Sequence, residues 1–206
     1  MKNSILLGLL SLVVIFTLDS CEKEDQNSSS DPVSSSLKAE DQEALLFMLE
    51  EEKLARDTYQ YLDSIYGLQQ LANIASSEQK HMDAIVTLLD DYGISYTILP
   101  AGQFSDADLQ AYFNLFKHDG QTSDTAALLI GATIEDLDIV DLQEYIDASD
   151  NNVLIDVFAK LQCGSRNHIR AFTSSLNTMG LSYQAQFLSD AELQAILAGG
   201  HEHCNN

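Results

Sequence analysis

The chain has 206 residues and carries 32 acidic against 10 basic side chains, a formal charge of −22. So acidic a surface excludes nucleic-acid binding through a basic patch, because phosphate neutralisation needs clustered Lys and Arg. Hydrophobic content of 45% excludes wholesale disorder, and three cysteines cannot build a disulfide framework.

The N-terminus reads as an address. Lys2 precedes an apolar run from Ile5 to Leu18, shorter than the ~20 residues a spanning helix needs, with the anatomy of a secretory signal. Leu18-Asp19-Ser20-Cys21 then resembles a bacterial lipoprotein signal, although Asp19 stands where that signal is more often neutral. The resemblance implies cleavage before Cys21 and lipidation of that residue, with residues 1–20 as signal peptide. It implies a partner in the lipid bilayer and a place in the bacterial cell envelope, periplasmic or surface-facing. The bland alternative is ordinary secretion with a free Cys21. Residues 21–41 have no apolar period and two serine runs around Asp31-Pro32, so they read as a disordered tether.

The remainder reads as all-α. Four segments carry apolar stripes at the helical period. The first spans about Asp41 to Tyr66 and stops at Gly67; the second spans about Gln70 to Tyr92 and stops at Gly93. A connection of some thirty residues follows, holding Pro100, Gly102 and a short helix from Ser105 to about Lys117 with Ser105 and Asp108 as its cap pair. The third long helix starts at an N-cap, Ser123, and runs to about Ala148; the fourth spans about Asn152 to Met179 and stops at Gly180. A last short helix covers Ser189 to about Leu197.

The chain also repeats itself. A shift of 87 positions lays Tyr92-Gly93-Ile94-Ser95-Tyr96 on Met179-Gly180-Leu181-Ser182-Tyr183, and His81 on His168. Two such units are too few for a solenoid, but they can close as a four-helix bundle. With one long crossover and short accessory helices, that is the ferritin-like arrangement, internally duplicated, over residues 42–198.

Each stripe is interrupted near its middle by groups that do not belong in an apolar core. They are Glu52 on the first helix, Glu78 and His81 on the second, Glu135 and Asp138 on the third, and His168 on the fourth. Burying several carboxylates together is costly unless a cation compensates, and carboxylate with imidazole suits iron, manganese or zinc. A di-metal carboxylate bundle takes a Glu from each of two helices and a Glu-x-x-His from each of the others. The second Glu-x-x-His is broken here, because Ser165 stands where the repeat puts Glu78; Asp138, one turn from Glu135, is a substitute oxygen donor. The competing reading is a buried network of salt bridges and hydrogen bonds, with Arg56 pairing to Glu52 four residues away. Tyr59 and Tyr145, two turns beyond Glu52 and Asp138, read as core, with a supporting role at the site as the alternative.

Leu49-Glu50-Glu51-Glu52-Lys53-Leu54-Ala55-Arg56-Asp57 and Ile74-Ala75-Ser76-Ser77-Glu78-Gln79-Lys80-His81-Met82 resemble a ferritin-like family known as domain of unknown function 2202. So do the segments Gly131 to Leu142 and Gly164 to Phe172, and the likeness covers about residues 42–197. The resemblance implies a ferritin-like bundle but no reaction, since none is assigned to the family. The wider superfamily, which includes rubrerythrins, bacterioferritins and manganese catalases, implies a ligand role for Glu52, Glu78, His81, Glu135 and His168. It implies none for Ser165.

The end of the chain, residues 199–206, reads as a flexible tail whose His201, His203 and Cys204 could hold a transition metal. A Cys163–Cys204 disulfide is the other use of that cysteine in an oxidising compartment. Three functions stay open: an oxidoreductase acting on peroxide or oxygen through di-iron or di-manganese chemistry, a metal-scavenging lipoprotein, and a structural envelope module with a degenerate site. The sequence leaves the oligomeric state open, a dimer included.

Overall fold

The structure is a computed structural model that describes residues 37–204. The expected signal segment, Cys21 and most of the expected tether lie outside the described residues. Six helices and no strand occur among the described residues: α1 (Ala39–Tyr66), α2 (Gln69–Asp91), α3 (Ala107–Gly120), α4 (Asp124–Ala148), α5 (Asn152–Thr178) and α6 (Asp190–Ala198). The four long helices are those the stripes predict, and they pack α1 on α2, α4 on α5, and the two pairs on each other.

Local chemistry explains the boundaries. Gly67 ends α1 at φ 63°, and Gly93 and Gly180 follow α2 and α5 at φ 66° and 78°, conformations that side chains with a Cβ rarely adopt. Ser123 caps α4 by accepting from Ala126 N–H, Asn151 caps α5, and Ser189 with Glu192 forms a capping box on α6. Two starts differ from the sequence expectation. α1 begins at Ala39, inside the expected tether, because Leu37 is buried against the bundle. α3 is capped by Asp106 rather than Ser105, and it runs to Gly120. The reason is tertiary: the Glu50 carboxylate of α1 accepts from the Ser105 and Asp106 N–H groups and sets where the chain can turn into the helix.

Two apolar clusters fill the bundle, and their order along each helix gives its direction. α1 runs from Leu45 and Met48 in one cluster to Leu54 and Leu62 in the other. α2 runs back from Leu71 to Met82 and Leu89, α4 runs from Leu128 to Leu142, and α5 returns from Leu154 to Phe172. α2 and α4 therefore point the same way, and the connection between them must travel the length of the bundle, roughly 35 Å for 23 helical residues. That connection is fastened to α1. Buried Lys53 donates to Asp57, to Pro100 C=O and to Gln103 C=O, while Asp57 also accepts from Gly102 N–H. The segment between α5 and α6 is fastened to α4 in the same manner. Asp136 accepts from Tyr183 O–H and from the N–H groups of Gln186, Phe187 and Leu188.

The tail is tied down through residue 204. Cys163 and Cys204 form a disulfide, and Glu202 pairs with Arg166 and Arg170. The flexible end expected from composition is in these residues a strap along α5.

Candidate metal centre

A polar layer separates the two apolar clusters. α1 contributes Glu51 and Glu52, α2 contributes Glu78 and His81, α4 contributes Glu135 and Asp138, and α5 contributes Ser165, all buried, with His168 nearly so. Glu78 sits at the centre of it. Its Oε2 lies 2.8 Å from His81 Nδ1 and its Oε1 lies 2.8 Å from His168 Nδ1, the latter out of line for a hydrogen bond. Glu52 Oε2 completes the His81 side at 3.1 Å, and Glu135 Oε2 completes the His168 side at 3.3 Å. Two groups of potential ligands result, Glu52–Glu78–His81 and Glu78–Glu135–His168, sharing the one carboxylate. The imidazole rings stack with centroids 5.7 Å apart.

The surroundings hold these groups in place. Tyr59 is buried in the core, as its stripe predicts, and also donates to Glu135 Oε1 at 2.6 Å. Tyr145 packs against Phe47 and Phe158 and belongs to the core. Ser77 Oγ lies 3.1 Å from His168 Nε2; an N–H there leaves the Nδ1 lone pair facing the carboxylates, which is the tautomer a metal requires. Gly164 on α5 makes room for His81, since a Cβ at that position would lie 2.6 Å from His81 Nε2.

The salt-bridge alternative for Glu52 fails at its named partner. Arg56 turns to Asp57 and to Gln79, and the neighbour of Glu52 is His81. Asp138 stands apart from both ligand groups. Its Oδ2 is hydrogen-bonded by Ser165, the residue that the repeat lays on Glu78, and its Oδ1 has no partner. Glu51 is 1% exposed, and neither of its oxygens has a hydrogen-bond partner. Sequence reasoning missed it, although it lies three residues after Met48 and four before Ala55, on the buried stripe.

Burial and crowding push the carboxyl groups upward. Burial raises Glu52 to about 8 despite His81, and it raises Glu135, with Glu78 adding to the effect. Burial, then neighbouring carboxylates, lift Glu51 and Asp138 well above the usual range. Glu78 is the exception: burial opposes its charge, but His168 and His81 together hold it low. Burial would lower both imidazoles, yet Glu52 and Glu78 raise His81, while Glu78 and Glu135 raise His168 to about 10.

These directions fix the pH response of metal-free protein. Between 4.5 and about 8 the Glu52 carboxyl stays protonated when folded and ionises when unfolded, so stability falls as pH rises through that window. Folded His168 likewise keeps its proton from 6.5 to about 10, with the same sign. Glu78 changes only in acid and does not oppose this. Chelator-stripped protein is therefore expected to melt at lower temperature near pH 9 than near pH 6. A melting temperature that rises over that interval contradicts the assignment.

A cavity of about 380 Å³ runs from solvent to the outer faces of His81 and His168, with Ser77, Gly164 and Lys160 among its walls and none of the buried carboxylates lining it. A larger groove of about 550 Å³ lies along α1 and residues 95–97, lined by none of the candidate ligands. The tail residues His201 and His203 line the smaller cavity. Cys204 also lines it, but its sulfur is committed to Cys163 and cannot ligate while the disulfide stands.

Comparison with known proteins places the chain. It is 42% identical over 169 residues to the uncharacterized protein MJ0754 of Methanocaldococcus jannaschii, covering 81% of this chain and 91% of that one. It is also similar to the crystal structure of hypothetical protein MJ0754 from Methanococcus jannaschii, with a TM-score of 0.79 at 42% identity over 81% of this chain and 96% of the other. Residues 41–200 match the family described as uncharacterized protein domain DUF2202, and the chain belongs to that family.

Proposed function

We propose that the chain is a ferritin-like metal-binding protein in which Glu52, Glu78 and His81 hold one transition-metal ion and Glu78, Glu135 and His168 hold a second. The observation that carries this reading is the shared carboxylate. A buried Glu78 with one oxygen beside each histidine is the arrangement of a ligand that bridges two cations, and it lies among other buried carboxylates that need positive charge. The donor set of oxygen and imidazole nitrogen suits iron or manganese, and zinc as well. The parallel α2 and α4 joined by a bundle-length crossover support the ferritin-like affiliation, with the two halves related as repeats.

A redox-active pair bound there would supply electron transfer to peroxide or oxygen. The chain's own contribution is to orient the imidazoles through Ser77, to fix Glu135 through Tyr59, and to enclose the carboxylates between two apolar clusters. A non-catalytic metal-scavenging role is favoured by one observation: Ser165 and Asp138 close on each other where a second bridging carboxylate would stand.

The reading extends to placement. Lipidation of Cys21 would hold the domain at the bacterial envelope, on a tether. No helix among the described residues is long and apolar enough to cross a membrane, and a disulfide suits an oxidising compartment.

Metal analysis of full-length protein purified without chelator or affinity tag, followed by a peroxide-consumption assay, tests the function. Two iron or manganese ions per chain with turnover supports the oxidoreductase, and two ions without turnover supports scavenging. Protein that stays metal-free after incubation with ferrous, manganous and zinc ions overturns both.

A further inference from the structure

The cavity above the centre has a constructed mouth. Glu202 is clamped by Arg166 and Arg170, its N–H donates to Asn167 Oδ1, and its C=O accepts from Asn167 Nδ2. Cys204 is bonded covalently to α5 two residues later. These ties use Glu202 and Cys204 and leave His201 and His203 exposed, their ring centroids 6.0 Å apart, on the wall of the cavity whose inner wall is His81 and His168. Nothing in the fold requires imidazoles at these two places: neither ring makes a hydrogen bond to any described residue. A ring on each side of a residue clamped by two arginines is held close to a partner ring, and the ordering entropy of the backbone is already met by folding.

From this geometry we infer that His201 and His203 form a capture site for a divalent transition-metal ion and that the cavity leads the ion to the inner clusters. The second half of this inference rests on the function proposed above; the capture site does not. Two neutral imidazoles with water completing the shell make a weak, exchangeable site for a borderline cation, which suits a site that must release the ion. Gly164 keeps the passage beside His81 free of a side chain. The net charge of −22 draws cations to the chain as a whole, against the local positive charge of Lys160, Arg166 and Arg170 around Glu202, and the histidines select transition metals from among them.

Zinc is the probe, and the full chain is the sample. In the Glu78→Gln/Glu135→Gln background, which disables the inner clusters, equilibrium dialysis is expected to show one weak zinc equivalent. Adding His201→Ala and His203→Ala removes it. In the otherwise unaltered chain, the His201→Ala/His203→Ala pair should reach the same inner zinc content but load at least about tenfold more slowly in stopped-flow transfer from a chromophoric chelator. A weak equivalent that survives loss of both histidines overturns the capture site. An unchanged loading rate overturns the passage. An unaltered chain with no inner zinc but one weak histidine-dependent equivalent overturns the handover and the proposed function together, and leaves capture standing. Both substitutions are at exposed positions, and circular dichroism checks that the helices persist.

Discussion

Glu78→Gln is expected to empty both metal positions at once. The two ligand groups have only this residue in common, and each of its oxygens serves a different histidine. An amide keeps the size of the side chain but replaces one oxygen with a donor that cannot ligate, and it removes the negative charge shared by two cations. Even a residue that merely orients a ligand changes metal affinity ten- to a hundredfold, so loss of a bridging ligand should exceed about a hundredfold. Glu135→Gln is the control. It touches only the His168 group, so metal analysis should find about one ion per chain where the unaltered protein is expected to hold two. If Glu78→Gln instead retains one tightly bound ion, the carboxylate is not shared, and the two groups are independent sites. Far-ultraviolet circular dichroism separates metal loss from unfolding, which matters because the change also leaves two raised imidazoles without their common partner.

Replacing Lys53 with Met should cost about 3–5 kcal/mol of folding stability. The Lys53 ammonium is 2% exposed and has three oxygen partners, one carboxylate and two backbone carbonyls of the crossover, and it lies 4.2 Å from the centre of the Phe104 ring. Methionine fills the volume but leaves the Pro100 and Gln103 carbonyls without their donor and Asp57 without its nearest cation. For a domain of this size the melting temperature should fall by about 10 °C in thermal denaturation followed at constant pH. A fall of only about 2 °C would mean that water reaches these carbonyls and that the crossover is not pinned at this point.

Both residues show what a single sequence can disclose. Helix periods and terminating glycines are local, so the four long helices and their ends at Gly67, Gly93 and Gly180 were legible. The ligand candidates were legible for a related reason: Glu52, Glu78, His81, Glu135 and His168 interrupt apolar stripes, and a stripe exposes its own exceptions. What escaped was long-range. Nothing local to Lys53, which follows three glutamates, announces that the crossover returns over it 47 residues later. Arg56 has the correct spacing for Glu52, yet His81 reaches that carboxylate from another helix, and the guanidinium finds Asp57 and Gln79. Glu202 looked like part of a loose end because both its arginines lie more than thirty residues back. Asp138 reads as a ligand from its face of α4, and only packing against α5 shows that Ser165 holds it.

The Asp136 clasp bears on how the chain withstands proteolysis. Residues 181–188 are non-helical and expose Leu181 and Phe187, which is the kind of bait a digestive endopeptidase selects. Such an enzyme needs several consecutive residues drawn out into its cleft, and three successive N–H groups here are anchored to one buried carboxylate. A nick at Phe187 therefore requires the clasp to open first, and a single acid on α4 guards a bond some fifty residues further along the chain.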